Sequence, residues 1–221
     1  MSRNKHPEET RSKILEVSRR LFTGQGYEQT TILDIVENLG GLTRGAFYHH
    51  FKSKEEVLLA LSERVWEESN PLEKIKNRTD LNGLEKIKAL LRHSAVDALL
   101  DKERMVLSKA ALPLLSNPRL LAMQLEGNQE LAAQILPFFE EGMADGSIAP
   151  QNPKVLAELA LLLFNFWLLP SIFPCDEKSA TDKLLAIKAA TDALGCPVMD
   201  EEILAGGKRL ITALGATHTS G

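Results

Sequence analysis

The stretch Thr31-Ile-Leu-Asp-Ile-Val-Glu-Asn-Leu-Gly-Gly-Leu-Thr-Arg-Gly-Ala-Phe-Tyr-His-His-Phe-Lys-Ser-Lys54 holds two short helical patterns on either side of a glycine pair. Thr31 offers a hydroxyl to the free N–H groups of a first turn, and Asp34, three residues on, completes a capping box. Behind that cap, Ile32, Ile35, Val36 and Leu39 recur at the spacing of one helical face. Gly40 and Gly41 then break it, because glycine accepts the left-handed backbone of a tight turn. Leu42 and Thr43 open a third short helix through about His49, in which Phe47 and, just beyond it, Phe51 read as core anchors. The stretch therefore predicts helix, glycine turn, helix.

Working outward, a preceding helix is expected from near Pro7 to Thr23, where Ile14, Val17, Leu21 and Phe22 share a face before Gly24-Gln25-Gly26 stops it. A following helix starts at Ser53, with Glu56 as the second half of a capping box, and carries Val57, Leu58, Leu61 and Val65 to about Asn70. After the polar run Asn77-Arg78-Thr79-Asp80, helical patterns cover about 81–100, 103–115, 118–145, 153–172, 179–194 and 200–214. Asn117-Pro118 and Asn152-Pro153 pair a capping side chain with a proline suited to a first turn. No alternating apolar run, repeat or low-complexity tract interrupts this sequence of helices, so the fold class is all-α. A three-helix head, residues 1–54, precedes a larger helical body, residues 55–221.

The net charge of −4 hides a division. Residues 1–54 hold nine Lys/Arg against six Asp/Glu, and the remainder holds seventeen against twenty-four, which sets a basic head on an acidic body. Cys175 and Cys196 are too few for a disulfide scaffold and lack the paired spacing of a zinc site, so both read as buried thiols. Neither a metal site nor a cofactor is implied. The most apolar stretch, Leu159 to Leu169, is broken by Asn165 and is short of the roughly 20 residues a membrane span requires. With a polar start and no leader-like apolar run behind it, the chain is expected in the cytoplasm.

A helix laid in the major groove of DNA needs small residues at its leading end so that its backbone can approach the bases; Thr43, Gly45 and Ala46 meet that need. Arg44 is then placed to reach a base edge, its planar fork matching guanine O6 and N7. Tyr48, His49, Lys52 and Lys54 lie toward the helix end and next turn, where phosphates flank the groove. Thr31 stands at a helix start whose positive dipole end suits a phosphate oxygen. Arg3 and Lys5 are expected to add a mobile arm.

These residues also resemble a family, the tetracycline-repressor (TetR) family of bacterial transcriptional regulators. The resemblance covers about residues 10–61: Leu21-Phe22 and Gly26-Tyr27, then Thr30-Thr31, Ile35, Gly41, Gly45-Ala46-Phe47-Tyr48, His50-Phe51, Lys52 and Lys54-Glu55. It implies that Thr43, Arg44, Gly45, Tyr48 and His49 occupy a recognition helix, with Thr31 and Lys54 against the DNA backbone. Gly40 departs from the pattern, which usually carries alanine there, and this implies a looser turn. The resemblance fades after about residue 65, as expected of a family whose C-terminal halves vary with their ligands.

By this reading the chain is a regulator, most often a repressor in the resembled family, that binds palindromic operator DNA as a homodimer and is released by a small, largely apolar effector. Trp66, His93, Met105, Met123, Phe138 and Asn165 are the candidates for lining the effector site. For the aromatic and methionine side chains ordinary core packing is the competing role, and for His93 a solvated helix face. Asn165, an amide in an apolar helix, is explained either by a ligand or by a hydrogen bond across a symmetric helix interface. That interface is expected from the helix near 153–172 and one of the last two, with Leu161 and Leu168 at its seam. Two other functions fit the body: a helical small-molecule enzyme or carrier, and a regulator that answers no ligand. No nucleophile–base pair or phosphate loop supports the enzyme.

Overall fold

The apolar spacing of the sequence is realised as helices throughout the computed structural model, which describes residues 7–215. In chain order these are α1 (Pro7–Gly24), α2 (Ile32–Glu37), α3 (Arg44–His50), α4 (Lys54–Ser69), α5 (Leu72–Lys76), α6 (Gly83–Arg92), α7 (Ala98–Leu100), α8 (Lys102–Ala111), α9 (Pro118–Asp145), α10 (Pro153–Leu162), α11 (Glu177–Ala193) and α12 (Glu201–Gly215). A π-helical turn, His93–Asp97, joins α6 to α7, a second, Leu163–Trp167, extends α10, and a 3-10 turn, Leu112–Ser116, follows α8. No strand occurs among the described residues, and the fold is all-α with an N-terminal helix-turn-helix.

Among those residues the chain forms two compact units, one of residues 7–69 with Glu103–Leu114, the other of Asn70–Lys102 with residues 115–215. Compactness thus divides the chain otherwise than at residue 54: α4 lies wholly with the head, and α8, from far along the sequence, joins it. In this first unit α1 turns Ile14, Leu15, Val17 and Phe22 inward, where they meet Ile35 and Leu39 of the second helical pattern, Phe47 and Phe51 of the third, and Val57, Leu58 and Leu61 of α4. Leu107 of α8 completes this core at 2% exposure. The same helix is bound by charge: Arg19 of α1 grips the Glu103 carboxylate with two donors and also donates to Glu68 of α4 at 2.9 Å. Arg104 lies with its guanidinium 5.5 Å from the centre of the Trp66 ring.

The second unit has its own core, with Ile135, Phe138 and Phe139 of α9 meeting Leu156, Ala157 and Leu161 of α10, Leu184 and Ile187 of α11, and Ile203 and Ile211 of α12. Here α6 comes against α9 without side chains between them: a Cβ on Gly83 would sit 2.1 Å from the Gly142 nitrogen. The N–H of Gly83 donates to Asp145 at 2.9 Å, so the carboxylate at the end of one helix caps the start of another. Leu161 and Leu168, expected at a dimer seam, are each 8% exposed and belong to this internal core. Cys196 is buried and its thiol is pushed up to about 11 by burial, whereas Cys175 is only half-buried.

Candidate nucleic-acid interface

The first helix of the motif begins as its sequence dictates. Thr31 accepts a hydrogen bond from the Asp34 amide at 3.1 Å, and the Asp34 carboxylate accepts from both the Thr31 amide and hydroxyl at 2.7 and 2.8 Å. Those two donors hold the Asp34 carboxyl below its ordinary pKa. Beyond α2, Gly40 and Gly41 take φ values of 63° and 97°, both in the left-handed region, so the turn uses two glycines in succession. Thr43 then caps α3 by accepting from the Ala46 amide at 3.2 Å.

One side of α3 is fixed and the other is open. Phe47 is fully buried, while Thr43, Arg44, Gly45, Tyr48 and His49 are exposed, a row from the cap to the last turn. A Cβ added at Gly45 would meet nothing of the chain nearer than the Thr43 hydroxyl at 3.7 Å. The Arg44 guanidinium lies 5.8 Å from the Tyr48 ring centre. His49 and His50 meet edge to face at 5.1 Å, and His50, half-buried, leaves Nε2 enclosed with no hydrogen-bond partner among the described residues.

The two lysines of the following turn differ. The Lys52 side chain is exposed, and its backbone N–H donates to Glu56 at 2.7 Å. Lys54 is half-buried: its ammonium donates to the Tyr27 carbonyl at 2.8 Å and sits 4.1 Å from the centre of the Tyr27 ring. An ammonium retains further donors after one such bond, but the position of this one is set by the loop ahead of α2. Tyr27 itself is packed edge to face against Phe22 at 5.1 Å, and burial pushes its hydroxyl pKa up. Arg3 and Lys5 lie outside the described residues.

The six effector-site candidates are divided between the units. Trp66 and Met105 belong to the first, both half-buried, with Trp66 under Arg104. In the second, Phe138 is a core residue, Met123 is half exposed, and His93 stands on the first π-helical turn with Nδ1 3.5 Å from Asp97. Asn165 lies on the other π-helical turn and donates to Asn128 of α9 at 2.8 Å. Asn128 is itself 8% exposed, so the amide expected to need a partner has one inside the chain. Sequence reasoning singled out Asn165 but not Asn128, because their pairing depends on how α9 meets the π turn.

Comparison with known proteins agrees with this geometry. The family described as bacterial regulatory proteins, tetR family, matches residues 14–61. Over 73 residues the chain is 40% identical to the HTH-type transcriptional regulator TtgR of Pseudomonas putida, a match covering 33% of this chain and 34% of that protein. It is 45% identical over 56 residues to the HTH-type transcriptional repressor AcnR of Corynebacterium efficiens, covering 25% of this chain and 29% of that one. The chain thus spans about a third of the length of these relatives. A TetR-family transcriptional regulator from Pectobacterium atrosepticum has the same fold, with a TM-score of 0.62 at 23% identity over 87% of this chain and 97% of that one. The part of the chain that holds the helix-turn-helix, residues 14–61, is thus similar to the tetR family of bacterial regulatory proteins.

Proposed function

We propose that the chain is a transcriptional regulator that binds operator DNA as a homodimer, with α3 in the major groove, and acts as a repressor released by a small, largely apolar effector. The observation that carries the DNA reading is Gly45. Gly45 lies in the first turn of α3 with no positive φ, and among the described residues a Cβ there would meet nothing nearer than the Thr43 hydroxyl at 3.7 Å, so those residues do not ask for a glycine. Close approach of something outside the chain is a reason for it, and the flanking exposed Thr43, Arg44, Tyr48 and His49 are groups that bases and phosphates accept.

Gly45→Leu is expected to leave the thermal stability of the protein at or above the parent value while reducing retardation of the DNA upstream of its own reading frame, tested at moderate salt with competitor DNA. Equal retardation by both proteins would refute the placement of α3. Arg44→Ala should cost ~1–3 kcal/mol and relax base preference.

For the homodimer, support comes from the second unit. The outward sides of α10 and α11 carry apolar side chains, Val155 and Leu162 one heptad apart on one beside Lys154 and Glu158, and Leu185, Ala186, Ala189, Ala190 and Ala193 on the other between Asp182 and Asp192; α12 turns Glu201, Glu202, Arg209 and Thr212 outward. The effector is assigned to the same unit, where the Asn128–Asn165 pair retains amide donors and acceptors beyond their mutual bond. If effector and operator oppose each other, each must weaken the other by the same factor, typically about five- to 150-fold. Titration of a thermally stabilising apolar compound with and without operator tests this, and identical affinities would remove the effector from the mechanism.

A further inference from the structure

Five arginines are committed to internal polar partners: Arg19 to Glu68 and Glu103, Arg20 to Asn38, Arg64 to Glu68, Arg78 to Asp80, Arg92 to Asp200 and Glu202. Arg44, on the exposed side of α3, is not among them. Among the described residues it has neither an ion pair nor a hydrogen bond from its guanidinium, and its recorded contact is the face of Tyr48, one helical turn on, at 5.8 Å. A guanidinium over the face of a ring makes no hydrogen bond there, which leaves its N–H donors free for another partner. The ring beneath it is held in turn. Tyr48 is 44% exposed but stands edge to face, at 88° and 5.5 Å, against Phe47, which is fully buried and 6.2 Å from Phe51.

We infer that Tyr48 is a specificity-determining residue that acts through Arg44: its ring positions the guanidinium so that the fork meets a guanine edge already ordered. This rests on the DNA-binding reading above and deepens it, because it separates two uses of the same tyrosine. A hydroxyl that touches a phosphate adds affinity for every sequence, whereas a ring that orders an arginine adds discrimination at one base pair. An Arg held before binding loses less side-chain freedom on contact, and that gain is collected only where the matching base is present.

The test uses the full chain and a pool of randomised DNA duplexes. Binding-site selection with the parent protein yields a preferred site, and affinities for that site and for variants with each guanine replaced then give the discrimination ratio. Tyr48→Phe keeps the ring and is expected to keep the ratio. Tyr48→Leu is expected to lower it roughly two- to fivefold, the range an exposed stacking contact supports, with the salt dependence of binding unchanged. Combining Tyr48→Leu with Arg44→Ala should reduce the ratio no further than Arg44→Ala alone. The inference is overturned if Tyr48→Leu weakens all sequences equally, or if Tyr48→Phe loses as much discrimination as Tyr48→Leu. A parent protein that retards DNA but selects no sequence overturns it while leaving DNA binding intact, and one that retards no DNA refutes the underlying reading. Thermal unfolding of each variant separates these results from loss of fold.

Discussion

One enclosed nitrogen in the head is placed to couple its stability to acid. His50 closes α3 with Nε2 enclosed and, among the described residues, unpartnered. Burial, then the neighbouring His49 and Arg11, hold its pKa below the ordinary imidazole value, and Glu8 opposes them only in part. The unfolded chain takes up this proton near pH 6.5 and the folded chain only at lower pH, so the stability concerned is present above about 6.5 and lost as pH falls below it. The depressed carboxyls, Asp34, Glu55 and Glu68, act in the same direction but in the lower range where carboxylates protonate. The melting temperature is therefore expected to fall between about pH 7 and pH 5, and less steeply in His50→Gln. A variant with an unchanged profile over that interval would remove His50 from the response. Residues of this kind were legible to different degrees. Thr31 with Asp34 could be read from spacing because a capping box closes within one turn, and Phe47 and Phe51 because periodicity marks a buried face. The grip of Lys54 on Tyr27 joins positions 27 residues apart, and no local pattern announces it.

At the scale of the element, helix existence followed the apolar period closely: α9 was expected at 118–145 and is found at Pro118–Asp145. What the period does not encode is its own interruption. The helices expected across 81–100 and 153–172 each contain a π-helical turn, which widens the winding by one residue without any proline or glycine inside it. The short α5 was also missed, since five residues are too few for a period to show. Close packing of elements is the other illegible feature, and Gly83 makes it testable. A Cβ there would meet backbone atoms of α9, the Phe138 oxygen at 2.4 Å and the Gly142 Cα at 2.5 Å. Backbone cannot rotate away as a side chain does, so Gly83→Ala must part α6 from α9. A loss of ~2 kcal/mol or more in denaturant unfolding is expected; a change within ~0.5 kcal/mol would show that the helices do not approach so closely.

For the whole molecule, Leu161 and Leu168 are buried in the internal core, so the proposed dimer would have to use faces that remain outside. Leu185, half exposed on α11 among alanines that allow close approach of a second helix, is the position to alter. Leu185→Lys should shift sedimentation toward the monomer, weakening association at least ~tenfold, or ~1.4 kcal/mol, without lowering the thermal stability of the second unit. A variant that sediments as the parent does would place the seam elsewhere. This surface was half legible: the apolar character of residues 153–172 was plain, but which of its leucines face inward depends on α9, α11 and α12 closing round them.

The head is made of two separate stretches of chain, and this sets an order of events during synthesis. When the ribosome has released Ser69, α1 to α4 are complete, but Leu107 and Glu103 have not been made, so the head core lacks its last apolar side chain and Arg19 one of its two carboxylates. Closing the head must wait until α8 has emerged, and the intervening segment is held as a loop whose closure costs entropy. A fragment ending at Ser69 is arrested at that stage. It should unfold ~2–5 kcal/mol more readily than the head in the full chain, the range for deleting one buried leucine, as hydrogen exchange in α1 and α4 would measure. α3 therefore reaches full stability only after α8, far along the chain from it, has been translated.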